Sequence, residues 1–255
     1  SFDGVKIDEE ERLRQIVDLR KQKPELKVLL SIGGWGSGRF SEMAANDEYR
    51  RAFAADCDRV VKEFALDGID IDWEYPTSSM ANISSSPDDT ENFTLLMQDI
   101  RAAIGNEKEL TLATVASARY IDFKAILPSV DFVNIMAYDM ASAPKHHSAL
   151  YPSGHSGDIT SDGAVTAHLK AGVPPSKLVM GMPFYGRGGD GYPSFQDYNK
   201  VGNTDTQYTE KWDEVAQVPY LADKNDTLVF GFENPRSLAI KCQYILDKDL
   251  LGGMY

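Results

Sequence analysis

Short apolar runs alternate along the chain with stretches whose apolar positions recur every three to four residues. That is the pattern of parallel strands wrapped by helices. Asp8 with Glu11 resembles a capping box opening a helix that carries Leu13, Ile16, Val17 and Leu19. Pro24 ends it, and residues 27–32 read as the first strand. The pattern then predicts a helix over 47–64, a strand over 68–73, a polar loop over 77–89 and a helix over 92–104. Further strands are expected at 110–116, 131–137 and 178–182. After Gly186 the period breaks, and 188–232, rich in Gly, Tyr, Asp and Asn, reads as an insertion with short strands of its own. Asn234 followed by Pro235 predicts an N-cap and a proline at the first helical position. That helix carries Leu238, Ile240 and Ile245, and residues 251–255 start one more strand.

With 255 residues, 42% of them hydrophobic, the chain suits a (β/α)₈ TIM-type barrel, about six of whose eight strands are visible. The expected division is catalytic barrel over 1–187, a small α/β insertion over 188–232, and the last helix with the start of the final strand over 233–255. The chain has no initiator methionine, leader or 18-residue apolar run, and is expected to be a trimmed soluble fragment. A net charge of −13 disfavours nucleic acid and anionic membranes as partners, while a neutral polymer is indifferent to it. Two cysteines, Cys57 and Cys242, exclude a disulfide scaffold and are expected to be buried free thiols.

The run Asp67-Gly-Ile-Asp-Ile-Asp-Trp-Glu74 carries the chemistry. On a strand side chains alternate, so Asp70, Asp72 and Glu74 share one face and Ile69, Ile71 and Trp73 the other. The apolar face belongs against helices, which leaves the carboxylates pointing inward with Glu74 nearest the carboxyl end. Successive acids lie about 6.5 Å apart along the backbone. Crowding them is costly, and at least one must hold a proton. A held proton suits cleavage of a glycosidic bond, whose leaving oxygen must be protonated. Carboxylates stacked on one strand do not easily straddle a substrate, so the nucleophile is expected from elsewhere.

On these residues the chain resembles the family 18 glycoside hydrolases of chitinase type. Ser31-Ile-Gly-Gly34 with Trp35, the acidic run 67–74, Met136-Ala-Tyr-Asp139, Met182-Pro-Phe-Tyr-Gly-Arg187 and Gly252-Gly-Met-Tyr255 match the family's strand motifs in order. The resemblance implies hydrolysis of β-1,4-linked N-acetylglucosamine, in chitin or its oligosaccharides, with retention and with the substrate's acetamido group as nucleophile. It makes Glu74 the general acid and then base, Asp72 the group that orients the acetamido, Asp70 its buried partner, and Tyr138 a hydrogen-bond donor to the acetamido. Met136 and Asp139 shape the subsite of the distorted sugar, and Trp35, Tyr185 and Arg187 bind neighbouring sugars. Tyr75 joins the substrate-binding set, through a strained or cis peptide at Glu74–Tyr75. No cofactor or metal is implied, a monomer is expected, and an extracellular polymer suggests a secreted protein. Two elements of the family pattern, the earlier strands and a tryptophan after the position of Tyr255, are not in the sequence.

Weaker signals are read structurally. Gly33-Gly-Trp-Gly-Ser-Gly38 lacks the lysine and spacing of a phosphate loop. His146, His147, His155 and His168 lack metal-ligand spacing and are expected to face solvent or hydrogen-bond in loops. Two rivals remain: an endo-β-N-acetylglucosaminidase acting on N-glycan cores, and a chitin-binding lectin of the same fold, in which the acid at the Glu74 position is typically lost.

Overall fold

The computed structural model describes residues 4–189, 196–197 and 208–255. The chain divides into two compact units, Ser1–Thr114 with Tyr120–Val133, and Val115–Arg119 with Asn134–Tyr255.

In the first unit β1 (Leu29–Gly33), β2 (Gly68–Asp72) and β3 (Glu109–Val115) pair in parallel in that order. The register places Ser31 and Thr111 on either side of Asp70, and Gly33 opposite Asp72. The helices are α1 (Glu10–Asp18), α2 (Phe40–Ala44), α3 (Asp47–Glu63), α4 (Asp89–Ile104) and α5 (Phe123–Ile126). Asn46 caps α3 by accepting from the Tyr49 N–H, and Asp47 and Glu48 complement the positive end of the helix. One face of α3 buries Phe53, Ala54, Cys57, Val60 and Val61, and α4, against which α3 packs, buries Phe93, Leu96, Met97 and Ile100. Arg50 fastens the pair, donating to Asp99 on α4 at 3.1 Å and to the Ala44 carbonyl at 2.8 Å. The expected capping box at Asp8 is not formed. Glu9 occupies the cap position without a side-chain bond, and α1 buries none of its residues.

The second unit holds the carboxyl-terminal end of β4 (Phe132–Met136), with β5 (Leu178–Gly181) next to it and parallel to the last strand. It also holds a five-stranded antiparallel sheet. This sheet is built from β6 (Tyr185–Gly188), β7 (Gln196–Asp197), β8 (Thr209–Asp213), β9 (Val218–Ala222) and β10 (Leu228–Gly231), in the order β7-β6-β10-β9-β8. This sheet begins in β6, a few residues before the segment 188–232 expected as an insertion, and among the described residues of that segment there is strand and turn without a helix; 190–195 and 198–207 lie outside them. Leu221, Phe230 and Phe232 form its apolar centre. Helix α6 (Ser161–Lys170) was not foreseen. Helix α7 (Pro235–Asp247) starts as expected, with Asn234 and Ser237 in a reciprocal capping box and Pro235 in the first turn. The last strand is β11 (Gly252–Met254), and among the described residues the parallel sheet numbers six strands.

Candidate active site

The acidic strand alternates as its sequence requires. Ile69, Ile71 and Trp73 are 0–2% exposed, and Trp73 stacks on Phe40 of α2 at 5.4 Å and meets Phe93 of α4 edge-on at 5.5 Å. Burying Ile69 and Ile71 contributes about 1.5–3 kcal/mol each. The opposite face is left to Asp70, Asp72 and Glu74, all half-buried. Both oxygens of Asp70 are engaged from the flanking strands: Ser31 donates to one at 2.7 Å and Thr111 to the other at 2.6 Å. Asp72 has no such donors, and its Oδ1 is buried without a hydrogen-bond partner among the described residues. Burial, and then the charges of Glu74 and Asp70, push its carboxyl up to about 7. Asp72 therefore binds a proton far more readily than an isolated aspartate does.

Gly33 explains why the strand beside this site ends in two glycines. Its φ is +132°, and a Cβ there would lie 1.9 Å from the Asp72 carbonyl oxygen. Gly34 then donates its N–H to that same oxygen at 2.8 Å. The bond after Glu74 is cis. Tyr75 stacks on Tyr120 at 5.5 Å and meets Trp35 edge-on at 6.4 Å. Burial, then the charge and hydrogen bond of Glu74, raise the Tyr75 hydroxyl above the usual phenol range. Trp35 is 61% exposed, an open aromatic face beside the acids. The polar loop after Glu74 is pinned from within by Asp89, which accepts from Ser41 Oγ and from the N–H groups of Thr77 and Ser86.

A second cluster lies in the second unit. Val133, Ile135 and Ala137 are buried, so Met136 and Tyr138 take the other face. Gly181 makes room for Tyr138, since a Cβ there would come within 2.6 Å of its ring. Tyr138 meets Tyr185 edge-on at 6.3 Å. Asp139, in the left-handed region with φ 54°, has Oδ1 3.2 Å from Arg187 Nη1 and 3.4 Å from His147 Nδ1. Burial works against its charge, but hydrogen bonds from His147 and Tyr185 and the Arg187 charge outweigh it and hold the carboxyl below its ordinary value. Phe184 and Tyr255, both exposed, stack face to face at 4.4 Å.

All ten residues singled out from the sequence therefore sit in one or other cluster: Trp35, Asp70, Asp72, Glu74 and Tyr75 in the first, Met136, Tyr138, Asp139, Tyr185 and Arg187 in the second. Two expectations change, at His168 and at Cys242. His146, His147 and His168 are buried. His146 and His147 do bond within the loop region, to Asp213 and Asp139, whereas His168 sits in α6 against the Ala164 carbonyl. Cys242 is exposed, while Cys57 is buried, its thiol raised first by burial. Thr111 and Tyr120 escaped the sequence reading, and His147 entered it only as a solvent-facing or loop-bonding histidine. Thr111 is identifiable only once the strand register is known.

Residues 2–255 match the model of the glycosyl hydrolases family 18. The chain belongs to that family. It is 33% identical to Chitinase A1 of Niallia circulans over 95% of its own length and 42% of that protein's. Among solved structures, a family 18 N-acetylglucosaminidase from Paenibacillus barengoltzii superposes with a TM-score of 0.88 at 31% identity, covering 100% of this chain and 84% of that one. The Ostrinia furnacalis group IV chitinase, solved with allosamidin, gives 0.87 at 29% identity over 97% and 76%. The TIM-type fold expected from the motifs is the fold of these family 18 structures. The chain spans about half the length of the curated relatives it matches, 42% to 62% for the first three.

Proposed function

We propose that the protein hydrolyses β-1,4 linkages between N-acetylglucosamine units by substrate-assisted, retaining catalysis. The observation that carries this reading is Asp72, a half-buried carboxyl that holds a proton up to about pH 7 between two other acids on one strand. Three acids in file supply a proton donor and an orienting group, but no carboxylate placed to attack the far face of a sugar. The substrate's acetamido oxygen fills that role. Glu74 gives its proton to the glycosidic oxygen as the bond to C1 breaks, and the acetamido oxygen bonds to C1 from the other side. Asp72 orients the acetamido group, with Asp70 behind it sharing charge or a proton. Tyr138 donates to the acetamido oxygen. Water, deprotonated by Glu74, then opens the resulting oxazolinium ring and restores the β configuration. The exposed aromatic faces of Trp35, Phe184 and Tyr255 suit the apolar faces of sugar rings. The 188–232 segment is read as a module inserted into the barrel, and the protein as a secreted monomer. Retention of Glu74 argues against a lectin.

The test is a chito-oligosaccharide with glucosamine at the cleavage point. Its turnover should collapse by several orders of magnitude while binding weakens far less, and the normal substrate should yield a β-anomer first. Efficient cleavage after glucosamine, or an α-anomer, would overturn the mechanism. Release of glycans from a high-mannose glycoprotein, with chitin oligomers left intact, would overturn the substrate.

A further inference from the structure

The loop that follows the proposed acid is held by a carboxylate that the mechanism above does not use. Asp89 is 0% exposed although it stands in the first turn of α4. An aspartate at a helix N-terminus ordinarily stays in water, where it complements the positive end at little cost. The Asp89 side chain instead accepts from three groups outside α4. Ser41 Oγ of α2 donates to Oδ1 at 2.7 Å. The N–H groups of Thr77 and Ser86 donate to Oδ2 at 3.0 and 2.8 Å. Those two N–H groups belong to opposite ends of the loop, so a single oxygen closes it.

Helix formation alone does not require this arrangement. Asp88 already occupies the cap of α4, and a carboxylate taken out of water costs free energy unless donors replace its hydration. The turn beside Glu74 does require a restraint. It is closed by the Ser78 N–H on the Tyr75 carbonyl at 3.2 Å, with Pro76 in second place and Thr77 in third. Thr77 has φ 61°, a conformation that glycine or asparagine takes readily and a β-branched residue does not. The bond from its N–H to Asp89 helps to keep it there. The elements that Asp89 joins also brace both neighbours of Glu74. Phe40 of α2 and Phe93 of α4 pack on Trp73. Thr90, next to Asp89, donates to the Tyr120 carbonyl at 2.9 Å, and the Tyr120 ring stacks on Tyr75.

We propose that Asp89 is a positioning residue for Glu74: it ties both ends of the 77–86 loop to α2 and α4, and so fixes the strand end from which Glu74 and Tyr75 project. Glu74 as the acid rests on the function proposed above; the hold on the loop does not. The acid is thereby aimed by a side chain that never touches substrate. Hydrogen-bond geometry does this, so an uncharged side chain of the same shape should aim it nearly as well.

Asp89→Ala should lower kcat on a chitin tetramer by about 10²-fold while KM changes by about threefold or less, because a misplaced acid harms the transition state more than sugar binding. Asp89→Asn should bring kcat back to within about tenfold of wild type. Its amide oxygen can accept from both N–H groups while its nitrogen donates to Ser41 Oγ. Both variants are assayed well below their melting temperatures, where a merely structural loss would leave kcat per folded molecule unchanged. In Asp89→Ala the ring-current shift that Tyr120 imposes on Tyr75 should also shrink in the ¹H NMR spectrum. Wild-type kcat in folded Asp89→Ala overturns the proposal, as does an asparagine variant no better than the alanine one. Should the alanine variant not fold, hydrogen exchange of the wild-type Thr77 and Ser86 amides decides. Protection of about 10²-fold or more supports the proposal, and its absence overturns it. Should the wild type cleave no chitin, the proposed function falls, while exchange and the Tyr75 shift still read the hold of Asp89 on the strand end.

Discussion

Asp72→Asn should cost activity and yet stabilise the protein at alkaline pH. In the folded protein the Asp72 carboxyl is raised from its ordinary 3.8 to about 7, chiefly by burial and then by Glu74 and Asp70. A group raised in the folded state contributes its full stability below the unfolded value and loses it as pH climbs to the folded value. The window therefore runs from about pH 4 to about pH 7. At about 1.4 kcal/mol per unit, a shift of about 3 units amounts to about 4 kcal/mol, and solvent contact of the half-buried group reduces this to about 2–4 kcal/mol. Asparagine cannot ionise and keeps nearly the same shape. The assay is urea unfolding of both proteins at half-unit steps from pH 4 to 8.5. The variant's stability relative to wild type should rise across that window and level off above it, because wild type alone loses stability there. Turnover of a chitin tetramer should fall by at least about 10²-fold, since the amide misorients the acetamido group. A stability difference that is flat with pH would refute the reasoning, because it would mean that Asp72 carries no strained charge.

Two further predictions probe the surroundings of the same carboxyl. Gly33→Ala must place a methyl group against the Asp72 carbonyl at a φ that alanine avoids, so it should cost about 3 kcal/mol or more, seen as a loss of roughly 10 °C in Tm; an unchanged Tm would contradict the close approach. Ser31→Ala combined with Thr111→Val removes two donors to Asp70, so that the Asp70 charge weighs more on Asp72. Each lost bond to a carboxylate matters by about 1.5–3 kcal/mol, and the alkaline limb of kcat/KM should move upward. A limb that stays in place would mean that the Asp70 charge does not bear on Asp72.

Much of the first cluster is a local consequence of the chain. Two-residue alternation in 67–74 needs only a strand to separate three acids from Ile69, Ile71 and Trp73, and the amphipathic periods of α3 and α4 supply the cover for that apolar face. The Asn234-Pro235 start of α7 is likewise short-range chemistry, and it formed as expected. The Asp8–Glu11 signal was of the same kind and failed, because a capping pattern has small free energy of its own and α1 buries no face to support it. What sequence could not supply is everything that depends on which residue lies across the next strand or behind a loop. Ser31 and Thr111 became partners of Asp70 through parallel register alone, and Gly33 became irreplaceable through the carbonyl opposite it. The histidines show the limit most clearly. Polar residues in a Gly- and Pro-rich loop read as solvated or as loop hydrogen-bonders, and no spacing rule tells the two apart. Only folding against Asp213 and against the Lys241–Glu233 ion pair buried His146 and His147. Burial and neighbouring charge also raised the Asp72 carboxyl, which nothing in its local sequence marks. Periodicity orders side chains along one element and is written in the sequence. Desolvation and charge coupling arise between elements distant in sequence, and they exist only once the chain has folded.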